Sequence, residues 1–217
     1  MTRIKICGIT SQEDALLCVQ AGADALGLNF YAPSPRYITV SRAREIVAAV
    51  PPFVFLVGLF VDEDLSEVQR IMDETGLHIA QFHGTESPEI LRRYGRPTIK
   101  AFRIQSAEDL KAMKDFNAAA FLLDTYRKGL PGGTGKTFDW HLAQDAAREN
   151  RVILAGGLTP ENVGEAIRLV RPFAVDVASG VESSPGKKDP DLVHRFVEAV
   201  READCGLHKF YSKNSPS

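Results

Sequence analysis

The chain has 217 residues, of which 44% are hydrophobic and 25% are charged, and its formal net charge is −2 at pH 7. This composition is typical of a globular domain, and a chain with no basic excess is not expected to bind nucleic acid. The cysteines Cys7, Cys18 and Cys205 have no metal-ligand or disulfide spacing. The longest apolar run, residues 52–61, is about half the ~20 residues that a membrane-spanning helix needs. We therefore expect a cytoplasmic protein with no membrane partner.

Short apolar runs alternate with segments of helical spacing along the chain, which predicts eight strand–helix units. In chain order, the predicted strand and helix of each unit are 4–6 and 11–21, 25–30 and 41–50, 53–61 and 64–75, 79–82 and 86–94, 98–102 and 107–116, 119–123 and 139–148, 151–154 and 160–170, and 173–177 and 189–203. Apolar strands joined by helical crossovers indicate a parallel sheet that is buried on both faces.

Eight such units in about 200 to 250 residues match the size of a (β/α)8 TIM barrel. We predict an α/β protein with one barrel domain over residues 1–203 and a polar C-terminal tail over residues 204–217. A doubly wound open sheet has the same alternation, and because the sequence does not show closure, it stays as the alternative fold.

In a barrel of this kind, active sites lie at the C-terminal ends of the strands. Cys7 ends the first predicted strand and Asp124 ends the sixth, so the two can face one bound molecule as general base and general acid. Burial would raise the pKa of Asp124 and keep part of it protonated. Period-2 alternation places Lys5 on the same face as Cys7, and Asp176 in the neighbouring eighth strand is its predicted partner.

Two further side chains follow strand ends. Arg36 lies in "FYAPSPRYI", after the second strand, and its planar guanidinium suits a carboxylate. His83 in "QFHG" ends the fourth strand and could either bind substrate or complete the barrel floor. Taken alone, each of these residues is also compatible with a purely structural role.

A phosphate site is predicted after strands seven and eight. Gly156 and Gly157 precede a helix whose predicted N-cap is Thr159, and Ser179 and Gly180 precede a short extra helix. Loops at these two places, with the N-terminus of such a helix, form the usual phosphate site of these barrels. The substrate is therefore expected to be a small phosphorylated molecule.

The segment "LPGGTGKT", residues 130–137, resembles a nucleotide-binding P-loop, but Leu130 stands where the motif requires glycine. No strand leads directly into it either. We interpret residues 128–136 as a glycine-rich lid over the site rather than as an ATP site.

Eight stretches in register carry a family resemblance. The motifs "KICGIT", "FYAPSPRYI", "VGLFV", "QFHG", "LLDT", "GGTGKTFDW", "AGGL" with "PENV", and "FAVDVASGVE" with "PGKKD" together resemble those of the phosphoribosylanthranilate isomerases. The resemblance implies a cofactor-free and metal-free barrel enzyme of tryptophan biosynthesis. Its reaction is the Amadori rearrangement of N-(5-phosphoribosyl)anthranilate to 1-(2-carboxyphenylamino)-1-deoxy-D-ribulose 5-phosphate.

The resemblance also implies residue roles. It makes Cys7 the general base, Asp124 the general acid and Arg36 the group that holds the anthranilate carboxylate. From their places at strand ends, His83 and Asp176 are also expected in the substrate site. The phosphate loops are those of Gly156, Gly157, Ser179 and Gly180. One position departs from the family pattern, since Ala178 stands where a serine is expected.

Other functions remain as alternatives. Another phosphosugar isomerase or synthase would need a lysine–glutamate pair or a set of metal-ligating His and Asp residues at the strand ends. A non-catalytic barrel that binds a phosphorylated metabolite would need the phosphate loops without the acid–base pair. A monomer and a homodimer are both compatible with the apolar helix faces.

Overall fold

The computed structural model describes residues 1–104, 106–124 and 140–213, and it confirms the barrel rather than the open sheet. Eight parallel strands close into one barrel in the order β1 to β8, each beside its chain neighbour, with β8 also paired to β1. The strands are β1 Arg3–Cys7, β2 Ala25–Asn29, β3 Phe55–Phe60, β4 Ile79–Phe82, β5 Thr98–Arg103, β6 Ala120–Asp124, β7 Val152–Ala155 and β8 Ala174–Val177.

Helices follow the strands and surround the barrel. They are α1 Gln12–Ala21, α2 Val40–Ala49, α3 Leu65–Thr75, α4 Pro88–Tyr94, α5 Ala107–Lys111, α6 Trp140–Glu149, α7 Val163–Val170 and α8 Pro190–Lys213. Their ends have local causes. For example, the Ser11 side chain accepts a hydrogen bond from the Asp14 N–H at the start of α1, and Gly22, at φ 107°, ends it in the left-handed region.

Two apolar layers hold the fold together. The lumen is filled by small and branched side chains from alternate strand positions, namely Val57, Ile99, Ala101, Ala120, Leu122, Ile153, Ala155 and Ala174. The opposite faces of the strands pack against the helices in a larger core. Odd-numbered and even-numbered residues of β1 therefore lie on opposite faces of the sheet. Ile4 and Ile6 pack outward against the helices, while Lys5 and Cys7 point into the barrel.

Several predicted boundaries are wrong. Phe53 was expected in a strand but lies in a turn at φ 73°, 99% exposed. The fifth helix ends at Lys111 and continues only as a 3₁₀ turn over Ala112–Asp115. The predicted end of α8 at residue 203 falls inside that helix, which runs to Lys213. Asp204 is buried there and accepts hydrogen bonds from Thr2 N and Oγ1. The division into a barrel over residues 1–203 and a polar tail over residues 204–217 stays a prediction.

A hairpin that the sequence did not predict follows β8. After a 3₁₀ turn at Ser179–Val181, strand β9 (Glu182–Ser184) pairs antiparallel with β10 (Lys187–Lys188). Gly186 turns the chain between them at φ 82°. No helix in the described part of the chain is long and apolar enough to cross a membrane.

Candidate active site

Cys7 is the last residue of β1, and two glycines leave space around it, Gly27 for its own side chain and Gly8 for that of Arg36. In the register of β1 and β2 it lies opposite Gly27, where a Cβ would come within 2.7 Å of the Cys7 Sγ. Gly8 follows at φ 78°, and a Cβ there would overlap the Arg36 side chain. The backbone N–H groups of Gly8 and Ile9 both donate to the Gly27 carbonyl. The thiol is thus held at the C-terminal mouth, by which we mean the rim formed by the carboxyl ends of the barrel strands.

The predicted pair of Lys5 and Asp176 is confirmed. Lys5 Nζ lies 2.8 Å from Asp176 Oδ1, and both side chains are nearly inaccessible to solvent. Burial lowers the pKa of Lys5, but attraction to Asp176 and Cys7 outweighs burial and leaves that pKa above its ordinary value. Lys5 therefore stays a cation directly below the thiol.

The environment of the Cys7 thiol acts on its pKa in two opposing directions. Burial raises its pKa above the ordinary value and Asp176 adds to the rise, while the cations Lys5 and Lys188 oppose it without cancelling it. Because only the thiolate can act as a base, the two lysines set how much of the reactive form exists at neutral pH.

Asp124 ends β6, as predicted, and β7 and β8 separate it from β1 on the shorter path around the barrel. Its Oδ2 lies 3.7 Å from His83 Nε2. His83 Nδ1 in turn is 2.9 Å from the amide Nε2 of Gln81. With that amide as donor, Nδ1 is the acceptor and Nε2 is the ring nitrogen that faces Asp124. His83 and Asp124, from strands that are two apart, thus share one side of the mouth.

Arg36 is presented by a loop that folds around two polar side chains. Asn29, the last residue of β2, accepts a hydrogen bond from Tyr31 N and donates one to Ser34 Oγ. Ser34 Oγ also accepts from Arg36 N. The loop therefore has a defined shape without any contribution from a ligand.

The guanidinium of Arg36 already binds a carboxylate of the protein. Its Nε and Nη2 donate to the two oxygens of Glu182, at 2.8 and 2.6 Å. This two-point contact raises the pKa of Arg36. The planar edge that we predicted for substrate is thus taken up by Glu182, and Nη1 is the nitrogen that makes no contact with Glu182.

The two predicted phosphate loops meet in the structure. Gly156 and Gly157, at φ 87° and 71°, lie in the left-handed region that favours glycine. Gly180 approaches so closely that a Cβ there would overlap the Leu158 carbonyl oxygen. The predicted N-cap is wrong, because α7 begins after Asn162, whose Oδ1 accepts a hydrogen bond from Thr159 N.

Gly27, Glu182 and Lys188 are site residues that the residue-by-residue reasoning missed. Glu182 and Lys188 stand in the quoted motifs "SGVE" and "PGKKD", so the signal was present without an assigned role. The motif "GGTGKTFDW" up to Asp139, the predicted lid and Thr125 lie outside the described residues. Within the described ranges, no group of three or more His, Cys, Asp or Glu residues could hold a metal ion.

A parallel barrel that gathers a thiol, carboxylates and cations at its C-terminal mouth is suited to proton transfer on a bound small molecule. The protein is therefore a (β/α)8-barrel enzyme by both its fold and its site.

Comparisons with known proteins identify the family. The profile described as N-(5'phosphoribosyl)anthranilate (PRA) isomerase matches residues 4–199. An N-(5'-phosphoribosyl)anthranilate isomerase from Geobacter sp. (strain M21) is 51% identical over 202 residues, which cover 93% of this chain and 99% of the relative. The chain belongs to the N-(5'-phosphoribosyl)anthranilate isomerase family, whose members are isomerases of tryptophan biosynthesis.

Solved structures agree with this assignment. The phosphoribosyl anthranilate isomerase of Thermotoga maritima superimposes with a TM-score of 0.86 at 45% identity, over 93% of this chain and all of that one, 100%. A second isomerase, crystallised with reduced 1-(o-carboxyphenylamino)-1-deoxyribulose 5-phosphate, has a TM-score of 0.83 and 42% identity, with 93% and 100% coverage.

Proposed function

We propose that this chain performs the Amadori rearrangement of its family with Asp124 as general acid and Cys7 as general base. Asp124 donates a proton to the ring oxygen of the ribose while the anilino nitrogen forms an imine, which opens the ring. The imine makes the proton on C2′ acidic, and the Cys7 thiolate removes it. The resulting enolamine tautomerises to the ketone, so that the product is an isomer of the substrate.

The observation that carries this proposal is the placement of the two groups. Cys7 and Asp124 are the last residues of their strands, and they point to the same mouth from β1 and β6. A molecule that bridges them presents one face to each. The buried cation Lys5 next to Cys7 favours the thiolate electrostatically.

The remaining substrate contacts are assigned by position. Arg36 binds the anthranilate carboxylate through Nη1, since Glu182 occupies its other edge. His83 and Asp176 line the same mouth and bind the sugar. The phosphate lies at the glycine loops, on the backbone N–H groups of Gly156, Gly157, Ser179 and Gly180.

The wider setting is also part of the proposal. The partner is a small phosphosugar, and the compartment is the cytoplasm. Cys7, Arg36 and Asp124 all come from one chain, so a monomer and a homodimer would be equally competent. Sedimentation at assay concentrations distinguishes the two states.

The test is a fluorescence assay in which a separate transferase makes the substrate from anthranilate and phosphoribosyl pyrophosphate. We expect the natural protein to consume the signal, and we expect Cys7→Ala and Asp124→Asn each to lower kcat by about 10² to 10⁴-fold, the usual contribution of a general acid or base. KM should change little, because neither group is needed to hold the substrate.

Cys18→Ala is the matched control, because Cys18 is also buried but lies in α1 and not at the end of a strand. Natural turnover in Cys7→Ala would remove Cys7 from the mechanism while keeping the enzyme. No turnover by the natural protein would overturn the function itself.

A further inference from the structure

The hairpin of β9 and β10 ties together three loops of the C-terminal mouth. The Gly186 carbonyl accepts a hydrogen bond from Thr10 Oγ1, at 2.5 Å, in the loop after β1. The Lys188 backbone N–H donates to Asp14 Oδ2 at 3.0 Å. Glu182 holds Arg36 in the loop after β2. The hairpin itself continues from β8, so it connects the loops that follow β1, β2 and β8.

The centre of the hairpin is the ammonium group of Lys188, whose side chain is 0% exposed. A lysine has three N–H donors, and three oxygens surround this one. Nζ lies 2.7 Å from the Cys7 carbonyl, 3.2 Å from the Ala178 carbonyl and 2.9 Å from Glu182 Oε1. Lys188 therefore hydrogen-bonds at the same time to the backbone of Cys7 and to the start of the phosphate loop that follows β8.

Glu182 extends these contacts to Arg36, in the loop after β2. Its side chain is 4% exposed and accepts from both Lys188 and Arg36. Burial alone would raise the pKa of Glu182, but these two cations lower it below the ordinary value. A continuous chain of contacts thus runs from the Cys7 carbonyl through Lys188 and Glu182 to Arg36.

A structural role alone is a weak explanation for this cluster. Buried ion pairs are often replaceable by apolar side chains without loss of stability, because the cost of removing charges from water offsets their attraction. Among the described residues, the charged groups that act on the Cys7 thiol lie either in this cluster or in the pair below it. These groups are Lys5 from β1, Asp176 from β8, Lys188 from β10 and Arg36 from the loop after β2.

We propose that Lys188 and Glu182 are positioning residues of the isomerase reaction. Lys188 fixes the backbone of Cys7 and supplies a buried positive charge beside its thiol, and Glu182 aims Arg36 at the substrate carboxylate. The inference rests on the roles proposed above for Cys7 and Arg36, and it adds the two residues through which these groups are held in register.

Two variants separate the two roles. In Lys188→Met the alkylation of Cys7 by iodoacetamide, followed at the Cys7 peptide by mass spectrometry, should shift its pH midpoint upward by about one unit, as expected for loss of a nearby charge. At neutral pH kcat should then fall about tenfold with the thiolate fraction. In Glu182→Gln the KM should rise about tenfold, because Arg36 loses its orientation, while kcat changes less.

Lys100→Met is the matched control. Lys100 also forms a fully buried pair with a glutamate, Glu86, at 2.7 Å, but this pair lies between β5 and the loop after β4. Breaking it should lower stability without moving the alkylation midpoint of Cys7. A merely structural Lys188 would give the same result as Lys100.

The proposal is overturned if Lys188→Met leaves the alkylation midpoint in place, if Lys100→Met shifts it equally, or if Glu182→Gln leaves KM unchanged. Should Lys188→Met not fold, the KM of Glu182→Gln decides. Alkylation needs no substrate, so its outcome is independent of whether the natural protein is active, which tests the proposed function separately.

Discussion

The two ends of the barrel are built from the same strands but carry opposite chemistry. At the N-terminal mouth, the rim at the amino ends of the strands, a cavity of about 590 Å³ is lined mainly by apolar side chains. Phe53, Phe55 and Phe173 are exposed there, and in the ion pair of Arg3 and Asp24 the arginine side chain is 61% exposed. The C-terminal mouth instead buries its charges, as in the pairs of Lys5 with Asp176 and of Lys188 with Glu182.

The difference shows at which end of the barrel this chain buries a cluster of charged side chains. Burying a charge is unfavourable unless it is paired and hydrogen-bonded, and at the N-terminal mouth the Arg3 side chain keeps most of its surface in solvent. The C-terminal mouth carries several such charges around Cys7. Clusters of buried titratable groups of this kind are characteristic of functional sites.

The contrast between the two mouths is tested most directly by replacing the ion pair of Lys5 and Asp176 at the C-terminal mouth with an apolar pair. Asp176→Asn leaves Lys5 buried without a counter-charge, and we expect the free energy of unfolding to fall by about 3 to 5 kcal/mol. The double variant Lys5→Met with Asp176→Leu should recover most of that loss, because an apolar pair needs no desolvation. Its kcat should stay low, since no cation then lies below Cys7.

Urea unfolding and steady-state kinetics on the same preparations measure both quantities. A double variant that turned over at the natural rate would show that the buried pair serves packing alone.

Position within a strand allowed the Lys5–Asp176 pair to be predicted, because alternation fixes the face of Lys5 and barrel closure makes β8 its neighbour. The placement of Cys7 and Asp124 at strand ends followed from the same pattern. Each of these inferences depends only on periodicity and on the closure of the sheet.

Contacts that depend on the chain turning back on itself could not be predicted. The Lys188 ammonium meets the Cys7 carbonyl across 181 residues of sequence, and only the hairpin brings them together. Likewise, Asp204 binds Thr2 across 202 residues, which is why the end of α8 was misplaced. The contact between Arg36 and Glu182 could not be predicted for the same reason.

A smaller change at the C-terminal mouth should act on binding rather than on chemistry. In Gly180→Ala the new Cβ would overlap the Leu158 carbonyl, so the two phosphate loops must separate. We expect a stability loss of about 1 to 3 kcal/mol from overpacking and a rise in KM of about tenfold from the misplaced phosphate.

Gly76→Ala is the control for that experiment. Gly76 has φ 71°, but a methyl group added there would meet no atom within 4 Å, and the residue ends α3 far from the site. The variant should lose about 1 kcal/mol from backbone strain with an unchanged KM. An unchanged KM in Gly180→Ala as well would place the phosphate elsewhere.

The charged cluster around Glu182 should also make the free energy of unfolding depend on pH in the acid range. Since the pKa of Glu182 is lowered in the folded state from an ordinary value of 4.5, its contribution is complete above that pH and is lost as the pH falls through the folded pKa. The natural protein should therefore lose more unfolding free energy than Glu182→Gln between about pH 5 and about pH 3. Urea unfolding at both pH values measures this, and parallel losses in the two proteins would contradict it.

The smallest effect is expected at the N-terminal mouth. Phe53 is 99% exposed and holds φ 73°, a conformation that asparagine adopts more readily than a bulky aromatic residue. Phe53→Asn removes no buried contact and should raise the free energy of unfolding by up to about 1 kcal/mol through relief of strain. The value of kcat/KM should stay unchanged, because this residue lies at the opposite end of the barrel from Cys7. A loss of activity in this variant would show that the two ends of the barrel are coupled, against the separation that their side chains indicate.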